Sequence, residues 1–226
     1  MSDSTHDPVA GIGALVEPVR RALYRYVAGQ PGPVGREQAA AAVEVPVHTA
    51  KFHLDRLVDE GLLAVEFRRL TGRSGPGAGR PAKLYRRSEL ELSVSLPERR
   101  YDLAGRILAA AVDRSIDEGV PVAGLVREVA RDEGRAAAAG QAGSSVEPAL
   151  ERLGYEPRRQ GDEVALVNCP FDALAREHTE LVCGLNLAFV EGLLEGLDHP
   201  HVHACLVPEP QRCCVRVRAR PAEDAG

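Results

Sequence analysis

The sequence predicts an α+β protein with three parts. These are an N-terminal winged helix-turn-helix domain (residues 1–95), a helical connector (96–145) and a small C-terminal α/β domain (146–226). Three observations carry that reading. Helical apolar spacing fills the first sixty residues and then gives way to two short strands around a glycine-rich tip. Helical patterns recur between Tyr101 and Gly140. Short strands then alternate with one long apolar helix up to Val217.

The N-terminal part follows from periodicity and breakers. Val16, Val19, Leu23, Tyr26 and Val27 recur at helical spacing, and Gln30-Pro31-Gly32-Pro33 stops that helix. Gly35–Val43 is a short alanine-rich helix, and Glu44-Val45-Pro46 makes a turn. A third helix runs from about Val47 to Glu60, with Ala50, Leu54, Leu57 and Val58 inward and Gly61 ending it. A short helix, a tight turn and a longer helix form the unit whose second helix enters the major groove of DNA. Leu62–Phe67 and Arg80–Tyr85 read as strands flanking the tip Thr71–Gly79, which together make a basic wing.

In the remainder, Leu92–Leu96 reads as a short extended run. Helices are expected over 101–118 and from Val122 to about Gly140, the first as the main dimer interface. Strands are expected at Tyr155–Gln160, Glu163–Val167, Val202–Leu206 and Cys213–Val217, with a long helix over roughly Thr179–Leu197. The 226 residues are 44% hydrophobic, enough to bury a core without disulfides, although aromatics are 4% and tryptophan is absent.

Charge divides along the same boundary. The net value of −5 is +3 over residues 1–100 and −8 over 101–226. Seven basic residues (Arg68, Arg69, Arg73, Arg80, Lys83, Arg86 and Arg87) against one acid lie between Glu66 and Arg87, the form an electrostatic DNA footprint takes. The exposed start of the recognition helix offers His48, Thr49, Lys51 and Phe52. Lys51 has the chemistry for guanine O6 and N7, Phe52 for a thymine methyl, and His48 and Thr49 for a base edge or phosphate. Arg56, one turn on, is expected to meet a phosphate, and Arg73, Arg80 and Lys83 of the wing to reach phosphates or the adjacent minor groove. His53 is expected to pack beneath the helix.

The pattern Thr49-Ala50-x-x-His53-Leu54-x-x-Leu57-x-x-x-Gly61-Leu62, followed by Gly79-Arg80-Pro81, resembles bacterial winged-helix repressors of the ArsR-like type. That resemblance implies a regulator of double-stranded operator DNA, and because a single winged helix rarely covers enough DNA for tight binding, a homodimer is expected.

The first seven residues have neither a basic nor an apolar stretch, and no run of eighteen apolar residues occurs. A cytoplasmic protein without a membrane span is expected. Five cysteines (169, 183, 205, 213, 214) then read as metal or redox groups, or as buried thiols. No CxxC pair is present. Adjacent residues of a regular strand point to opposite faces, so one of Cys213 and Cys214 is expected to face any common centre. A turn between Glu209 and Pro210 places Cys205 opposite Cys214. A histidine among 178, 199, 201 and 203 is an alternative ligand.

The run NCPFDALAREHTELVCGLNLAFVEGLLEGL, followed by RCCV, resembles the C-terminal domain of the SUF-operon repressor family. These are winged-helix regulators whose C-terminal cysteines hold an iron–sulfur cluster. The resemblance implies Cys169 and Cys183 as ligands, with Cys213 or Cys214 as the terminal one. The family's intervening cysteine is absent between Gly184 and Ala204, which leaves Cys205 or a histidine for that place and zinc as the alternative to iron. The chain therefore reads as a transcriptional regulator, not an enzyme. Cys183 and His178 lack the third orienting group and the nucleophile elbow that a cysteine nucleophile would call for. A small-molecule pocket with inert cysteines is the alternative.

Overall fold

A computed structural model of the chain describes residues 7–69, 81–209 and 212–220. It divides into two compact units, Met1–Val94 and Ser95–Gly226.

The first unit begins with α1 (Pro8–Ala14), which the apolar pattern does not announce. Asp7 caps it by accepting from the Val9 amide, with proline at the first helical position. The next helix, α2 (Pro18–Ala28), starts two residues later than its apolar stripe because the Glu17 carboxylate caps the Val19 and Arg20 amides. A two-residue strand β1 (Val34–Gly35) leads into α3 (Arg36–Ala42) and α4 (Val47–Asp59). In the turn between these two helices Glu44 adopts a left-handed φ of 56°, which costs a residue with a Cβ about 1 kcal/mol or more. Gly61 takes φ 73° just beyond α4 without that penalty.

Strands β2 (Leu63–Arg68) and β3 (Ala82–Arg87) then pair antiparallel, and the sheet order is β1-β3-β2. Leu23, Val27, Leu54, Leu57, Leu63 and Tyr85 fill the core between helices and sheet. The extended run expected at Leu92–Leu96 is not a strand, having no partner strand to complete its backbone bonds.

The second unit takes in the helices assigned to a connector. These are α5 (Tyr101–Glu118) and α6 (Val122–Ala137), and their apolar faces are part of its core. Next come α7 (Val146–Arg152), β4 (Pro157–Gln160), β5 (Glu163–Leu166), α8 (Asp172–Glu177), α9 (Thr179–Gly196), β6 (Val202–Leu206) and β7 (Val215–Ala219). The sheet is antiparallel in the order β4-β5-β7-β6.

Central to this unit is α9, buried on most of its circumference and therefore lacking a polar face. It lies against α6 at very short range. A Cβ on Gly134 would stand 2.1 Å from the Phe189 carbonyl oxygen, and one on Gly192 would stand 2.0 Å from that of Arg131. Only glycine permits this approach of two backbones. No helix among the described residues is long and apolar enough to cross a membrane.

Candidate functional site

Two sites follow from the sequence, one in each unit. In the first, α4 presents His48, Lys51, Phe52 and Arg56 to solvent, with Thr49 half-buried. Phe52 is 65% exposed, a costly place for an apolar ring unless something covers it. Its edge meets His53, which turns under the helix: His53 Nδ1 accepts from Arg20 Nε at 3.4 Å and lies 3.5 Å from the Glu17 carboxylate. Arg56 pairs with Glu60 at 2.5 Å, one turn along the same helix.

Lys83 does not point freely outward. Its ammonium lies 2.6 Å from Asp55 Oδ1, and the Tyr85 hydroxyl donates to the same oxygen at 2.9 Å. Asp55 is partly buried, which opposes ionisation, but these two bonds outweigh that and hold its carboxyl below the ordinary range. The trio ties the wing strand β3 to α4 from within. Arg69, Arg86 and Arg87 are exposed around the base of the wing, as is Phe67 at 67%. Arg73 and Arg80 lie outside the described residues.

The second site is a cleft of about 940 Å³ lined by four thiols, Cys169, Cys183, Cys213 and Cys214. Three elements bring them together. Cys169 follows β5, where Asn168 anchors the backbone. Cys183 is on the second turn of α9. Cys213 and Cys214 precede β7, and both reach the cleft. The expectation of opposite faces fails because the strand begins only at Val215, so these two residues are not pleated. The register differs as well. Cys205 pairs with Arg216, and the Val207 amide donates to the Cys214 carbonyl. Cys205 therefore stands apart from the four, and no histidine lines the cleft among the described residues. His199 and His203 line a separate cavity of about 440 Å³, with Arg131, Glu191 and Asp198.

The four thiols share the cleft closely enough to shift one another's ionisation. Interaction with Cys213, with burial adding to it, pushes the Cys169 thiol far above its ordinary range. For Cys213 the interaction with Cys169 lowers the value, but that with Cys214 and burial prevail, and the thiol is pushed up to about 12. Burial raises Cys183 against the opposing interaction with Cys214. Among the described residues, no group of three or more His, Cys, Asp and Glu side chains is arranged to hold a metal ion.

Four residues that the sequence reading missed organise this cleft. On the buried face of α9, Asn186 donates from Nδ2 to Cys213 Sγ at 3.2 Å and accepts from the buried Tyr155 hydroxyl. Asn168 is buried and donates to the carbonyls of Glu98 (2.9 Å) and Gly154 (2.6 Å). Arg99 donates to Asn168 Oδ1 and to the Cys169 carbonyl (3.2 Å), and the Arg100 amide donates to the Pro170 carbonyl (3.0 Å). The signal for Asn186 was present: it interrupts the most apolar helix in the chain with a group that cannot be buried alone. Arg99 and Asn168, 69 residues apart, left no such mark.

Residues 15–66 match a family described as a helix-turn-helix domain. The match covers α2 to β2 and supports a DNA-binding regulator. No curated protein matches the chain. Among solved structures, human N-acetylserotonin methyltransferase in complex with SAM is similar at 21% identity, covering 61% of this chain and 47% of that one, with a TM-score of 0.25. The chain thus spans about half the length of that enzyme.

Proposed function

We propose that this protein is a homodimeric transcriptional repressor whose affinity for operator DNA is set by a cysteine-ligated iron–sulfur centre, with zinc as the alternative metal. The observation that carries the reading is a four-thiol cleft in the same chain as a helix-turn-helix domain.

The donor set suits such a group in its chemistry. Four sulfurs are the usual ligands of iron–sulfur clusters and of structural zinc, and Cys169, Cys183, Cys213 and Cys214 would hold it. Arg99, Arg176 and Arg212 line the cleft together with Glu156, Asp172 and Glu209, so the charge of a bound centre would meet both signs there. Bringing all four sulfurs around one centre requires the segments beside the last hairpin to adjust. Residues 207–209 and 212–214 lie outside the regular strands, though the Val207 amide is bonded to the Cys214 carbonyl and the Cys213 amide to that of Leu166. When bound, an iron–sulfur centre supplies a charge and a connection that oxidants remove.

The chain's own residues account for the rest. Asn186 fixes Cys213 through an N–H···S bond, the kind of contact by which proteins tune sulfur ligands. Residues 98–100, close behind the DNA-binding unit in sequence, are bonded to the Asn168–Pro170 loop. Movement of Cys169 is thereby felt at the start of the second unit. His48, Thr49, Lys51 and Phe52 read base edges, while Arg56 and the wing cations meet phosphates. On α5, Val112 (47%) and Ile116 (74%) leave an apolar stripe exposed, available to a second copy. Two copies supply the two half-sites that tight binding by such domains uses.

Anaerobic purification followed by iron, sulfide and zinc analysis, an absorption spectrum and a DNA-binding assay tests the reading. Metal bound in the wild type, and lost together with wild-type DNA affinity in Cys169→Ser, is the expected result. A metal-free anaerobic protein whose DNA affinity ignores the cysteines overturns it.

A further inference from the structure

We propose that Lys83 is a positioning residue and not a phosphate contact. Bound to Asp55, it sets the wing against the recognition helix and neutralises a carboxylate on the reading face of α4. The proposal rests on DNA binding by the first unit and needs no metal centre.

Strand pleating decides where Lys83 points. Lys83 and Tyr85, two residues apart on β3, share one face of the sheet. Tyr85 is buried and its hydroxyl reaches Asp55 on α4, so this face is the one turned to the helix. The Lys83 ammonium ends 2.6 Å from Asp55 Oδ1 and 5.2 Å from the centroid of the Tyr85 ring. A phosphate would have to replace both the carboxylate and the face of the ring. The Tyr85 hydroxyl donates to the same Oδ1 at 2.9 Å and holds the carboxylate in place. The cation is thus bound to an acid that a buried side chain fixes, unlike the loose partners of most surface ion pairs. Arg69, Arg86 and Arg87 are exposed by contrast.

Helix spacing gives the second role. Asp55 follows Lys51 by four residues and Phe52 by three, so the three share one side of α4. A bare carboxylate there would repel DNA phosphates, whereas the Asp55–Lys83 pair has no net charge. The pair also joins the two elements that would meet DNA. Lys83 lies opposite Phe67 across the sheet, and Asp55 lies about one turn beyond Phe52; both rings are exposed. The tether therefore sets the spacing between the exposed surfaces of wing and helix. Breaking it at Asp55 releases a cation to phosphates of any sequence and loosens that spacing. Non-specific attraction rises while discrimination falls.

The test uses the full chain. Its probes are the duplex that the wild type enriches from a randomised pool and an unrelated duplex of equal length. Affinities are measured from about 50 to 200 mM salt, where phosphate contacts show in the slope. The proteins are the wild type, Asp55→Asn and Asp55→Asn/Lys83→Met, with folding followed by circular dichroism. Asparagine keeps an oxygen for the Tyr85 hydroxyl. In Asp55→Asn the slope of log affinity against log salt should steepen by about one. Preference for the selected duplex should fall about fivefold or more, the low end of what one misread base pair costs. In the double variant the slope should return to the wild-type value while the lost preference stays lost. Partial misfolding lowers both affinities together and moves neither the slope nor the preference. A double variant with a slope shallower than wild type by about one makes Lys83 a phosphate contact; that overturns the proposal and leaves the DNA-binding reading intact. An Asp55→Asn protein unchanged in slope and preference overturns it too, and decides alone if the double variant does not fold. A wild type that enriches no duplex removes the DNA-binding reading and this proposal with it.

Discussion

The close approach of α6 and α9 yields a prediction with a built-in control. Gly134 and Gly124 are both on α6. At Gly134 an added Cβ would fall 2.1 Å from the Phe189 carbonyl oxygen and 2.8 Å from the Leu193 amide nitrogen, both backbone atoms of α9. Ordinary contact needs about 3.5 Å, so the helices must separate by roughly 1 Å. Overpacking of that kind costs about 1–3 kcal/mol. At Gly124 nothing lies within 4 Å of the added Cβ. Gly→Ala in a helix otherwise gains up to about 1 kcal/mol, and both substitutions share this gain. Gly124→Ala is therefore neutral to stabilising. Gly134→Ala should be less stable than Gly124→Ala by about 1–3 kcal/mol. Urea denaturation of the full chain, followed by circular dichroism and by exposure of the buried Cys213 thiol, measures the difference. Equal stability of the two variants would refute the packing argument. The matter bears on the thiol cleft because α9 carries Cys183 and Asn186.

Four further outcomes are expected. Asn186→Ala leaves the buried Tyr155 hydroxyl and Cys213 without partners and should destabilise by about 2–4 kcal/mol in the same denaturation assay. Asp55 has a lowered carboxyl value in the folded state, so its contribution is present above the unfolded value and is lost as pH falls through the folded one. Stability measured through the acid range should accordingly fall less steeply in Asp55→Asn than in the wild type. Glu44→Gly relieves a left-handed residue in the helix-turn-helix turn and should raise stability by about 1 kcal/mol, read from the denaturation midpoint. Lys51→Ala should weaken operator binding, and if Lys51 meets a phosphate rather than a base the slope of log affinity against log salt should drop by about one.

Much of the helical framework was legible in the chain. The stripes of α2, α4, α5 and α6 follow directly from apolar spacing, because a helix repeats its buried face every three to four residues whatever it packs against. Two short helices were not legible. The helices α1 and α8, of seven and six residues, are too brief to show a period and depend on a cap or on neighbours to form, whereas the equally short α3 is marked by its alanine run. The helices expected as a connector over residues 96–145 are instead part of the second unit. Apolar stripes say that a face is buried, not what buries it, and α5 and α6 spend theirs on the core of the second unit.

The thiol site divides the same way. That cysteines of the loop after β5, of α9 and of the last hairpin belong to one domain could be read from order and composition. Which of them meet could not, because this depends on where β7 begins and on its register with β6. Moving the strand start to Val215 brings both Cys213 and Cys214 to the cleft and leaves Cys205 beside Arg216. The side chains that hold the site, Arg99, Asn168 and Asn186, act over long stretches of chain and leave no local period. The sequence alone determined the helix-turn-helix, the basic wing and the supply of thiols, since these rest on local periodicity and residue chemistry. Only the tertiary structure decided the partners, because pairing is set by packing between residues the chain keeps far apart.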